Sequence, residues 1–123
     1  MSAVVFNFIN QYSIDQGADW FATFIYQDPS GNPINMTGYT AALQIRSYPA
    51  DTTAVLTLTT ENGGISIDDL AGMVEVHATA EQTGLIDEGF YVYDLEVKDV
   101  LNGGIVTRLV QGQAQIDAEV TRV

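Results

Sequence analysis

The sequence predicts an all-β chain, an antiparallel sandwich of about seven strands in two sheets. Two observations carry this. The dominant hydrophobic period is two, the period of a strand. Turn signals rich in Pro, Gly and Asn interrupt it roughly every 10–15 residues. At 123 residues the chain can bury a core of its own. Its 46% apolar content excludes disorder. No linker, repeat or charge run divides it, so it reads as a single domain over 1–123, with 1–10 a candidate assembly strand.

The first strand is expected over 3–10. Val4-Val5-Phe6-Asn7-Phe8-Ile9 is apolar on both faces, and such a strand is covered on both. That points Val4, Phe6, Phe8 and Ile9 at a neighbouring subunit; the alternative, an ordinary first strand of the same sandwich, stays open. The second strand, 19–27, runs into Asp28-Pro29-Ser30-Gly31-Asn32-Pro33, where Pro and Gly serve a tight turn. In 39–48, Tyr39, Ala41, Leu43 and Ile45 form the apolar row. Strands 54–60 and 64–68 flank the hairpin turn Asn62-Gly63-Gly64. In 72–80, Val74, Val76 and Ala78 alternate with Glu75, His77 and Thr79. One helical turn over 80–86 follows, with Thr79 or Thr83 as its cap. In 89–99, Tyr91, Tyr93, Leu95 and Val97 form the inward row. Asn102-Gly103-Gly104 turns the chain into 104–120, where Ala114, Ile116, Ala118 and Val120 alternate with polar residues. That run is long, so Gly112 is expected to bend it or mark a bulge. The core set is Tyr39, Leu43, Ile45, Leu56, Leu58, Val74, Val76, Tyr91, Leu95, Val97 and Ile116.

Sixteen acids against four bases give a net charge of −12. Nucleic acid is bound through cationic contacts to phosphate, and anionic membranes attract basic segments, so neither is an expected partner. No apolar run approaches the roughly 20 residues of a membrane helix. No basic, then apolar, leader opens the sequence, so no signal peptide is expected. Without cysteine there is no disulfide, thiolate metal site or thiol nucleophile. His77, the only histidine, lies on the polar face of its strand and reads as a surface residue. Asp68-Asp69 and Asp87-Glu88 read as solvated turn acids. The loop acids Asp15, Asp19, Asp87 and Glu88 leave a calcium site open as an alternative. Neither Gly-Gly pair opens a helix, so no phosphate cradle is expected. The expectation is therefore no catalytic residue, no cofactor and no transition metal.

Asp87-Glu88-Gly89-Phe90-Tyr91-Val92-Tyr93 resembles the D-x-G-x-Y-x-C run of immunoglobulin domains. Tyr91 stands at the corner tyrosine and Tyr93 replaces the cysteine, which refines the expected fold to an immunoglobulin-like sandwich. Trp20 departs from that pattern by lying on the second strand rather than the third.

A wider resemblance runs from Gln16 to the C-terminus. It is carried by Gln16-Gly17-Ala18-Asp19-Trp20, by Asp28 to Ile34, and by Met36-Thr37-Gly38-Tyr39 through Arg46. Leu58 to Ile65, Gly89 to Leu95 and Glu119-Val120-Thr121-Arg122 continue it. These segments resemble small immunoglobulin-like structural proteins of tailed bacteriophages, and the layout is similar to the N-terminal domain of phage baseplate upper proteins. Met36 stands where that family usually has leucine, and Ala18 interrupts its Gly-Asp pair. The resemblance implies a non-enzymatic virion component that self-associates and docks on other virion proteins: a tail, baseplate or fibre-anchoring part, or alternatively a capsid decoration protein. It implies folding in the host bacterial cytoplasm before assembly. A carbohydrate- or surface-binding immunoglobulin-like module is the alternative outside that class.

Overall fold

The computed structural model describes residues 3–122; Met1, Ser2 and Val123, at the ends of the 1–10 and 1–123 ranges, lie outside the described residues. The strands are β1 (Val4–Val5), β2 (Ile14–Asp15), β3 (Trp20–Ile25), β4 (Tyr39–Arg46), β5 (Leu56–Thr59), β6 (Ile65–Asp68), β7 (Met73–Ala78), β8 (Gly89–Asp99) and β9 (Ile105–Asp117). A single-turn helix, α1 (Ala80–Gly84), joins β7 to β8. One sheet has the order β1-β9-β8-β4-β5, with β2 also paired to β9; the other is β3-β7-β6. Lettering β3 to β9 as B, C, C′, D, E, F and G yields a B-E-D sheet facing a C′-C-F-G sheet, the strand order of an immunoglobulin-like sandwich. Of the eight expected strand segments, the seven from 19–27 onward correspond to β3 to β9.

The alternation read in the sequence sets the register. Leu43 lies opposite Leu95 and Ile45 opposite Tyr93 across the β4–β8 ladder, while Leu58 lies opposite Leu43 across β4–β5. Val74 and Val76 answer them from β7, and all of these are buried. Of the expected core set, Tyr39 and Tyr91 pack against its margin and the other members are buried within it.

Local chemistry closes the loops. Thr79 caps α1: its hydroxyl accepts the Gln82 N–H while the Gln82 side chain accepts the Thr79 N–H, a capping box. The Tyr91 hydroxyl donates to the Asp87 carbonyl at 2.6 Å, forming the tyrosine corner. The conspicuous Gln16-Gly17-Ala18-Asp19 run is a clamp. The Gln16 side chain donates to the Ile86 carbonyl at 2.8 Å and accepts the Glu119 N–H at 3.0 Å. Thr83, fully buried, donates to the Ala18 carbonyl and accepts the Gly17 N–H. The Asp19 carboxylate accepts the Ala80 N–H at 2.9 Å.

The structure corrects five expectations. Asn62-Gly63-Gly64 is not a hairpin turn, because it carries the chain from β5, paired to β4 in one sheet, to β6, paired to β7 in the other. The sandwich is not wholly antiparallel, because β1 and β2 run parallel to β9. The 3–10 segment is not one strand: after β1 only Phe8 bridges to Ala114, and Asn10–Tyr12 form a 3₁₀ turn. Asn10 adopts φ 54°, a left-handed conformation that asparagine tolerates, and this turns the chain. The last strand ends at Asp117, since the Glu119 N–H goes to the Gln16 side chain instead of a ladder; Ala118 and Val120 are exposed. Gly112 is not the bulge. Leu95 pairs with Val110 and Glu96 with Arg108, so the extra residue is Leu109. Glycine is required at 112 because a Cβ there would collide with the Phe6 carbonyl passing over it.

Leu95 lies fully buried at the centre of this core. Leu95→Ala is expected to cost about 2–5 kcal/mol, through lost burial and the cavity left behind. Chemical denaturation followed by circular dichroism measures it, and a loss under about 1 kcal/mol would contradict the β4–β8 register.

Candidate functional site

The arm of residues 3–9 lies on its own domain. The Phe6 N–H donates to the Gln111 carbonyl and the Phe8 N–H to the Gln113 carbonyl, at 3.0 and 2.9 Å. The Gln115 N–H returns a bond to the Phe8 carbonyl at 2.7 Å. The Tyr93 hydroxyl, buried beneath the arm, donates to the Phe6 carbonyl at 2.7 Å. Burial raises the Tyr93 phenol well above its ordinary value, so it stays a donor.

These bonds split the four expected interface residues. Phe8 is 8% exposed. Its ring meets the Trp20 and Phe24 rings edge-on and lies tilted against Tyr93. It therefore plugs its own sandwich and is not available to a neighbour. Ile9 is half-buried beside it. Val4 is 68% exposed and Phe6 41%, and these two remain on the surface. Alternation does not make the split, because Val4, Phe6 and Phe8 fall on one face of the arm; depth does, since Phe8 is the one that reaches the Trp20, Phe24 and Tyr93 rings between the sheets. The arm is the first strand of the sandwich in its buried half and an apolar surface in the other.

Val4 and Phe6 form one wall of an apolar groove of about 410 Å³. Leu109 and Val110 line its floor, and β3 supplies the other wall through Ala22 and Phe24. The groove opens because β3 is an edge strand, with β7 on one side only. Phe21 and Ile25, on the outer face of β3, are 69% and 55% exposed. Sequence reasoning missed this surface. Its signal was the charge-free run Trp20–Gln27, whose large side chains at 21 and 25 fall on the face opposite Trp20 and Phe24.

The other candidate chemistry is dispersed. His77 Nε2 lies 2.8 Å from the Asp19 carboxylate, and its ring stacks on Phe21 at 4.3 Å. Asp19 is its side-chain hydrogen-bond partner, and no hydroxyl bonds to it among the described residues. The bonds from His77 and the Ala80 N–H hold the Asp19 carboxyl below its usual value. Among the described residues no three His, Asp or Glu side chains gather as metal ligands, so Asp15, Asp19, Asp87 and Glu88 do not converge. Asp68-Asp69 and Asp87-Glu88 are exposed, as expected of turn acids. Comparison with models of known protein families gives no match to this chain, and comparison with curated proteins gives none either.

Two measurements check this geometry. Phe8→Ala is expected to lose about 3–5 kcal/mol of stability, and Val4→Ser to stay within about 0.5 kcal/mol of wild type. Deletion of 2–9 should accordingly destabilise the fold. Equal effects at positions 4 and 8 in denaturant titrations would contradict the split. For Asp19, a lowered folded value means that the unfolded chain takes up the proton more readily. Its contribution is present above the ordinary value of 3.8 and fades as pH falls through the lowered one. The melting temperature of Asp19→Asn should therefore lie below wild type near neutrality, with the gap closing well below pH 3.8.

Proposed function

We propose that this chain is a non-enzymatic structural protein of a tailed-phage virion, working as a tail, baseplate or fibre-anchoring part. The family assignment is supported by the resemblance carried by Gln16 to Asp19, Asp28 to Ile34 and Gly89 to Leu95. The clamp, turn and corner roles of these residues suit a scaffold that presents surfaces. The single observation that carries the docking role is the apolar surface of Val4, Phe6, Phe21 and Ile25 around an unpaired edge strand. Contiguous apolar surface beside an open edge marks a place meant to be covered. The chain folds in the bacterial cytoplasm and is then built into particles.

Mass spectrometry of purified virions tests this. The chain should be present at a copy number typical of tail parts, roughly six to a few dozen, set by closed cyclic symmetry. Hundreds of copies would move it to capsid decoration. Absence from virions would overturn the virion reading and favour a surface-binding module.

A further inference from the structure

We infer that two copies of this chain pair through β3, edge to edge and antiparallel, joining their three-stranded sheets into one continuous sheet. The inference deepens the docking role proposed above and rests on it only for the claim that this surface is covered.

One edge of β3 has free backbone groups. The Tyr26 N–H donates to the Gly72 carbonyl at 2.7 Å, which fixes the phase of the β3–β7 ladder. Backbone direction alternates along a strand, so Trp20, Ala22 and Phe24 bond to β7. Phe21, Thr23 and Ile25 point their N–H and C=O groups to the open side, where no partner meets them among the described residues.

This edge lacks the usual protection. Natural edges are blunted by charge, proline, bulges or shortness. β5 and β6, also at sheet edges, have 4 residues each, and their outward side chains are Thr57 and Thr59, Ser66 and Asp68. β3 has 6 residues, carries neither charge nor proline, and turns Phe21 and Ile25 outward. Left bare, such a strand aggregates.

The occupant is a second copy because the strand matches itself. Trp20-Phe21-Ala22-Thr23-Phe24-Ile25-Tyr26 is self-complementary about Thr23. A two-fold axis there sets Thr23 opposite the partner's Thr23 and Phe21 opposite the partner's Ile25. These are the positions with free backbone groups, so each pair exchanges both hydrogen bonds. Thr–Thr and aromatic–β-branched pairs are among the favourable cross-strand contacts. On the inner face, Ala22 meets the partner's Phe24, small against large, across the mouth of the groove. In the same register Asp19 faces the partner's Gln27 and Asp28 faces the partner's Ala18. No acid meets an acid, which matters between two chains of net charge −12.

The chain has no cysteine, so a single one introduced at the axis reports on this register alone. Cα atoms of a hydrogen-bonded antiparallel pair lie about 5.5 Å apart, within disulfide reach. Under mild oxidation Thr23→Cys should convert to a covalent dimer, while Lys98→Cys, on the central strand β8, should not. Sedimentation velocity of the unmodified chain at tens to hundreds of micromolar, a range chosen for a modest interface, should show a concentration-dependent dimer. Thr23→Lys places like charges opposite each other and should give a monomer whose melting temperature at high dilution matches wild type. Dimers should also slow hydrogen exchange at the Phe21, Thr23 and Ile25 amides. A wild-type chain that stays monomeric at the highest concentration overturns the inference, as does a dimer insensitive to Thr23→Lys. If Thr23→Lys alone fails to fold, cross-linking and exchange still decide. A chain present in virions but monomeric in isolation would leave the virion reading standing and defeat this one.

Discussion

The fold depends on the seating of the arm between its two sheets. An immunoglobulin-like sandwich needs a strand to close the side where B and G approach. Here the first strand closes it from the G side only, by parallel pairing of residues 4–9 with β9. Three features hold it there: Phe8 wedged among Trp20, Phe24 and Tyr93, the Tyr93 hydroxyl on the Phe6 carbonyl, and the missing side chain at Gly112 that lets this carbonyl pass. The position of Tyr93 is informative. The immunoglobulin run has a cysteine there, joined to the opposite sheet. This chain replaces that covalent tie with a buried phenol bonded to the arm, so the crosslink becomes a hydrogen bond within one sheet plus a cluster of aromatic rings.

The open edge follows from the same arrangement. Because the arm is committed to β9, no strand among the described residues pairs with the outer edge of β3, and the B-E-D sheet stops one strand short of full cover. The apolar groove and the exposed face of β3 are two views of that missing strand. The chain thus commits residues 3–9 to its own stability and leaves the neighbouring edge of β3 open.

Much of the fold was legible because alternation is local. Strands β4, β7 and β8 announce their inward rows in three or four residues, and Asn102-Gly103-Gly104 marks the β8–β9 hairpin. Parallel pairing was not legible, since it depends on which distant strand receives the arm. The site was half legible for a related reason. An arm apolar on both faces says that both are covered, but not by whom. Phe8 and Val4 look alike in sequence; only the depth of the gap between sheets distinguishes them. The outward phase of Phe21 and Ile25 is implicit in the inward phase of Trp20 and Phe24. Treating every aromatic residue as core filling hides that face, on which Thr23 is the one polar residue.

The acidity of the chain takes its meaning from where it is missing. Residues 3–14 and 20–27 carry no charged side chain, and these are the arm and β3. Elsewhere the acids are spread over loops and outer faces, where like-charge repulsion opposes random association. That repulsion is screened over roughly 8 Å at physiological ionic strength, so it weakens with distance and hardly acts on two surfaces that meet at neutral strips. A highly acidic protein with two uncharged apolar strips is thus protected from indiscriminate sticking while being left one direction in which to associate. On this view the net charge selects among contacts: it disfavours every approach except the one in which uncharged edges meet.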